Sequence, residues 1–146
     1  MPQSPNQMAL SQKQMKSDKT HDPERAAVRA KVKSEDSLKS ARLAARAALE
    51  KKAEDVVVVD LRELSSYTDF LVICSGASDR QLEAVAEGVE ATMKEAGQRT
   101  IGSEGTRGGK WVLLDFGDVV LHVFHQNERE YYDLEGLWAD APRVTV

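Results

Sequence analysis

The chain has 146 residues, 41% of them hydrophobic and 30% charged, which is room for one ordinary core and no more. Its net charge of −4 conceals a division: residues 1–52 hold 12 Lys or Arg against 6 Asp or Glu, and residues 53–146 hold 8 against 18. So acidic a domain is repelled by phosphate backbones and drawn to cationic proteins, while the single cysteine excludes an intrachain disulfide or thiolate metal cluster, and no run reaches the ~20 apolar residues of a membrane span.

Residues 1–37 form a polar, basic extension. The first 40 residues contain no Phe, Tyr or Trp, and their Lys, Gln, Ser and Ala cannot bury enough apolar area to offset chain entropy, so disorder or transient helix is expected there. The amino terminus lacks the apolar core of a secretory signal. Asp18, Asp22, Glu24, Glu35 and Asp36 are too many acids for a mitochondrial presequence, so the expected location is the cytoplasm. The basic tail is read as a solvated linker, with room for a weak contact to RNA.

A folded domain is expected over 38–142, followed by a tail at 143–146. Leu38, Leu43, Ala44, Ala47 and Ala48 recur at helical spacing and predict a helix over 40–53. Asp55–Leu61 holds an unbroken β-branched run, which fits a strand covered on both faces, and Phe70–Cys74 is a second buried strand after a turn at Ser65-Ser66. Ser78 and Gln81 form a capping box for a helix with Leu82, Val85, Ala86, Val89, Met93 and Ala96 on one face and Gly97 as terminator. A short strand is expected at Arg99–Ile101 and a loop at the glycine-rich Gly102–Gly109. Trp111–Phe116 and Val119–Phe124 flank Gly117-Asp118 as a β-hairpin. Asn127, with Glu130 as its capping-box partner, starts a last helix bearing Tyr131, Leu134, Leu137 and Trp138. The order α-β-β-α-β-β-β-α argues for an α/β fold with a mixed five-stranded sheet flanked by helices.

The segments Leu64–Gln81, Trp111–Asp118 (Trp-Val-x-x-Asp-x-Gly-Asp) and Tyr132–Trp138 (Tyr-x-Leu-Glu-x-Leu-Trp) closely resemble the ribosomal silencing factor family, also called Iojap-like proteins, in order and spacing from about Leu43 to about Ala141. The resemblance implies a scaffold similar to the nucleotidyltransferase fold and a protein that is not an enzyme and takes no cofactor. It further implies docking on the large ribosomal subunit, at ribosomal protein fourteen, blocking the small subunit under nutrient limitation, with a further role in large-subunit maturation. A homodimer of the free protein is also compatible with it.

The residues that look chemical have blander readings beside them. Gly108-Gly109-Lys110 invites a phosphate loop, but Glu104 stands where Gly is required, Trp111 where Ser or Thr is, and the loop opens a strand rather than a helix. Cys74-Ser75-Gly76 has the outline of a nucleophile elbow, yet His122 and His125, three apart on a strand, point to opposite faces and cannot share a metal. Asp55 with Asp60, and Asp115 with Asp118, are poorly placed as metal-binding pairs, so the expectation is a nucleotidyltransferase-like scaffold without its metal site. A divergent nucleotidyltransferase using Ser75 is the alternative, and a homodimeric adaptor with no ribosomal role is a second. Trp138 reads as core. Trp111, at the start of a strand after the glycine loop, reads as a partly exposed anchor, and in family terms it matches a tryptophan implicated in docking on the ribosomal protein. Trp111, Asp115, Phe116, Gly117 and Asp118 are therefore the candidate partner-binding residues, an aromatic ringed by acids suited to a basic partner.

Overall fold

The computed structural model of the chain describes residues 23–105 and 109–146; the disorder expected over residues 1–22, and Gly108 of the glycine loop, lie outside the described residues. The elements are α1 (Pro23–Glu50), β1 (Glu54–Asp60), β2 (Phe70–Gly76), α2 (Asp79–Glu95), β3 (Gly102–Glu104), β4 (Trp111–Asp115), β5 (Val119–His125), α3 (Gln126–Tyr132), α4 (Leu134–Leu137) and β6 (Arg143–Val144). The strands form one mixed sheet in the order β3-β4-β5-β2-β1-β6, in which β2 and β5 run parallel and every other pair is antiparallel.

Strand β2 lies inside the sheet and every one of its residues is buried, as its unbroken apolar run requires. Its side chains alternate between two cores. Phe70, Val72 and Cys74 meet the helix-covered side with Val112, Leu114, Leu121 and Val123, while Leu71 and Ile73 meet the other with Leu113, Val120, Phe124, Leu134 and Trp138. Helix α1 approaches the first side through Ala41, Ala44, Ala45, Ala47 and Ala48, all buried, whose small side chains bring its backbone close to the sheet. Helix α2 adds Leu82, Val85, Ala86, Val89 and Met93.

Four expectations are corrected. First, α1 begins at Pro23 rather than Ser40, so residues 23–37 are helical rather than disordered. Helix-forming Ala, Arg, Lys and Glu follow a proline that tolerates the first turn. Tertiary anchors hold the turn before the core: Ser37 Oγ donates to Asp69 Oδ2 at 2.6 Å, and Arg62 Nη1 donates to Ser34 Oγ at 3.0 Å. Second, the sheet has six strands, not five. Arg143–Val144, expected as tail, pairs with Val58 and Val59 of β1, because Arg143 folds the segment back by donating to the carbonyls of Trp138 and Ala141. Third, the short strand is Gly102–Glu104 rather than Arg99–Ile101, since the free edge of β4 takes up these residues and Ile101 N donates to Asp115 O just before them. Fourth, the last helix starts two residues early and breaks. His125 Nδ1, not Asn127, accepts from the first turn, and Asp133 turns left-handed (φ 46°) to end α3 and cap α4 through Gly136 N. The break sends Leu134 and Trp138 into the core but leaves Tyr131, expected on the same apolar face, 79% exposed.

Candidate functional site

The side of the sheet away from α1 and α2 is closed by α3, α4 and the 61–69 segment, and its polar groups are concentrated on β4 and β5. Trp111 and Phe124 stand directly opposite each other across the hairpin, and His122 lies two residues before Phe124 on the same face. The three rings lie nearly parallel with centroids 6.0–6.3 Å apart. Tyr132 continues the row beside Phe124, and Tyr131 meets Tyr132 edge-on at 5.0 Å. Phe124 and His122 are buried, Trp111 and Tyr132 are half-buried, and Tyr131 is open to solvent.

Trp111 is held as well as stacked. Its Nε1–H donates to His122 Nδ1 at 3.2 Å, which requires the tautomer carrying its proton on Nε2. Burial pushes the His122 imidazole down to about 3, so the ring stays neutral and the acceptor remains available. The result is a half-exposed indole fixed in orientation by one hydrogen bond and two stacked rings.

The acids do not ring that aromatic. Asp115 shares its face, as expected, but is only 9% exposed, and both its oxygens are engaged: Tyr67 Oη donates to Oδ2 at 2.6 Å and Gly117 N to Oδ1 at 2.8 Å. Burial first and this bond second push the Tyr67 hydroxyl up to about 12, so it remains a donor. Asp115 thus braces the hairpin turn. Phe116 is buried in the opposite, helix-covered core and offers a partner no side-chain surface. Gly117 has φ 90°, which the tight turn needs and a side chain would resist; nothing crowds it but the tip of Ile101. Asp118 is accessible, and its Oδ1 lies 3.4 Å from Lys33 Nζ of α1. Trp111 and the tip are separated by the length of β4, roughly 13 Å for four residues. The five candidates therefore fall into an anchor, a brace and a tip rather than one cluster.

Ser75 has been claimed by another group. Its Oγ accepts from Arg129 Nη1 at 2.9 Å, and Arg129 Nε pairs with Glu135 at 2.8 Å, in a cleft of about 540 Å³ lined also by Asp55, Glu130 and Asp133. Among the described residues no histidine joins this cleft's lining; His122 serves Trp111 and His125 caps α3. Burial pushes the neighbouring Cys74 thiol up to about 12. Among the described residues, no group of three or more His, Cys, Asp or Glu side chains is placed to hold a metal ion. None of the helices described is long and apolar enough to cross a membrane.

Sequence reasoning located Trp111 but missed Tyr67, Tyr131, Tyr132 and His122 as its surroundings. The Tyr131-Tyr132 pair at the end of α3 was the available signal, because two adjacent helical residues cannot both face one core.

A sequence-family model described as "Ribosomal silencing factor during starvation" matches residues 34–146. A relative from Halalkalibacterium halodurans, named ribosomal silencing factor RsfS, is 46% identical over 104 residues, covering 71% of this chain and 89% of that one. The protein of the same name from Bacillus subtilis is 45% identical over 101 residues, covering 69% and 86%. A crystal structure of a Chromobacterium violaceum protein superposes with a TM-score of 0.68 at 40% identity, covering 70% of this chain and 85% of that one.

Proposed function

The chain belongs to the ribosomal silencing factor family, and from that premise we propose that it docks on the large ribosomal subunit, through ribosomal protein fourteen, and excludes the small subunit by occupancy. Inhibition of this kind needs no catalysis, so no enzyme activity or cofactor is assigned. It would act in the cytoplasm as a reversible brake on translation under nutrient limitation, with a second use in large-subunit maturation.

The observation that supports this reading best is the fixed, half-exposed Trp111 beside Tyr132 and Tyr131 on the incompletely covered side of the sheet. A large aromatic whose rotamer is already chosen loses little entropy on docking, which is the usual character of a binding hot spot. The acidic balance of residues 53–146 favours a cationic partner such as a ribosomal protein. In the free protein a second copy would cover the same exposed groups, giving a homodimer that competes with docking.

The direct test is subunit joining followed by sucrose-gradient sedimentation, mixing separated large and small subunits with and without the purified chain. Retention of free subunits, with the chain travelling on the large one, is expected. Joining that proceeds normally while the chain comigrates would move the role to maturation, and absence from both subunits would overturn the proposal. Trp111→Ala should weaken comigration by about 2 kcal/mol, roughly thirtyfold.

A further inference from the structure

Helix α1 carries a surface that the docking reading leaves unused. Between Asp36 and Glu50 every charged residue is basic, namely Lys39, Arg42 and Arg46, and all three are exposed. At 100° per residue they fall within an arc of roughly 60°, on the side of the helix opposite the buried alanines, and they span roughly 10 Å along its axis. Among the described residues none of them forms an ion pair, although residues 53–146 of the same protein hold an excess of acids. The buried Ala face fixes the helix on the sheet, so the three cations form a ridge that is ordered before any partner arrives.

The ground beside the ridge is made largely of small residues, with Lys51 lying across it. Helix α2 lies next to α1, and Gly88 sits so close beneath Lys51 that a Cβ there would fall 2.7 Å from the lysine side chain. Ala84 and Ala91, four before and three after Gly88, share that flank and are exposed. Three of the five acids of α2 are turned away: Glu83, Glu87 and Glu90 line a cleft of about 240 Å³ against Ser103, Val112 and Leu114 on the far flank, while Glu95 ends the Gly88 flank two turns further on. Glu35 and Glu50, exposed on the same face one turn before Lys39 and one turn after Arg46, bound the ridge, so a polyanion that crosses α1 between them meets the three cations.

We propose that the outward face of α1, through Lys39, Arg42 and Arg46, binds the phosphate backbone of double-helical RNA. The contact reads charge and shape rather than sequence, because three cations on one helix face offer no base-edge recognition. It goes beyond docking through Trp111 and does not depend on it, since the ridge and the aromatic row belong to opposite sides of the sheet.

The test uses the full chain and a labelled RNA duplex of mixed sequence, with fluorescence anisotropy read over a series of salt concentrations. The variant Lys39→Gln/Arg42→Gln/Arg46→Gln should bind at least about tenfold more weakly at low salt and flatten the slope of log affinity against log salt by about 3, one for each phosphate contact. A control of equal net charge, Arg80→Gln/Lys94→Gln/Arg99→Gln, removes exposed cations away from the ridge and should leave most of the affinity and slope intact. Equal losses in the two variants, an unchanged ridge variant, or no binding by the native chain at low salt would each overturn the proposal, leaving the ridge to solvent or to an acidic protein. Bare RNA keeps this outcome separate from docking on the large subunit, which the sedimentation experiment reads.

Discussion

The two sides of the sheet are built on different principles. On one, two long helices seal an apolar core through alanines, valines and leucines, and the strands contribute Val112, Leu114, Leu121 and Val123 without a polar group among them. On the other, two short helices and a loop leave β4 incompletely covered, and the strand face carries Trp111, Asp115 and His122, each tied to a named partner. The sealed side stores stability, and the open side spends hydrogen bonds on holding shape. A surface approaching the open side would meet no unpaired Asp115 carboxylate, but the half-exposed Trp111 and Tyr132.

Truncation separates the two sides most sharply. Leu121→Ala, on the sealed side and fully buried, should lower unfolding free energy by about 2–5 kcal/mol in urea titration, through lost burial plus the cavity left behind. The same chemistry at Trp111 should act mainly on docking. If Trp111→Ala unfolded the protein as severely as Leu121→Ala while leaving large-subunit binding intact, the distinction between a storing side and a presenting side would fail.

The open side should also be the one that feels pH. His122 is held near 3 by burial, whereas an unfolded histidine titrates near 6.5, so between those values the unfolded chain binds a proton that the folded chain refuses. Stability attributable to His122 is therefore complete above about pH 6.5 and falls as the pH is lowered, by up to ~1.4 kcal/mol per pH unit. Thermal midpoints between about pH 6.5 and 5, above most carboxylate titration, should show this slope in the native chain and lose most of it in His122→Gln. An effect of similar size is expected at Tyr67→Phe. Deleting the hydroxyl leaves Asp115 Oδ2 buried without its donor and should cost about 1–3 kcal/mol by chemical denaturation.

The same contrast explains what could be read from the chain alone. Strand β2, the hairpin of β4 and β5, and the apolar face of α2 were legible because each element's pattern reports its own burial. β3 and β6 were not, because short segments become strands only where β4 and β1 offer an open edge. The break at Asp133 and the cap at His125 were equally hidden, since Asn127 and Glu130 satisfy the local rule that His125 displaced. At the candidate site, the partial exposure of Trp111 followed from its place at a strand start. That Asp115 would be consumed by Tyr67 did not, because 48 residues separate them and only the assembled sheet brings them together.

Asp118 gives the smallest effect and the sharpest test of whether the hairpin tip belongs to the presenting side. Among the described residues its carboxylate reaches only Lys33, across an exposed pair, while its backbone carbonyl accepts from Asp69 N and Phe70 N whatever the side chain is. Asp118→Ala should thus change stability by less than about 1 kcal/mol, since exposed ion pairs contribute little and α1 remains fastened by Ser37 and Ser34. An effect on docking should appear in the association rate and its salt dependence rather than in dissociation, because a rim charge steers a basic partner more than it holds one. Association that is slowed at low salt and restored at high salt would join the tip to the Trp111 surface as one docking face. An association rate unaltered at every salt concentration would confine that face to the aromatic end of the hairpin and leave Asp118 as the anchor point of α1.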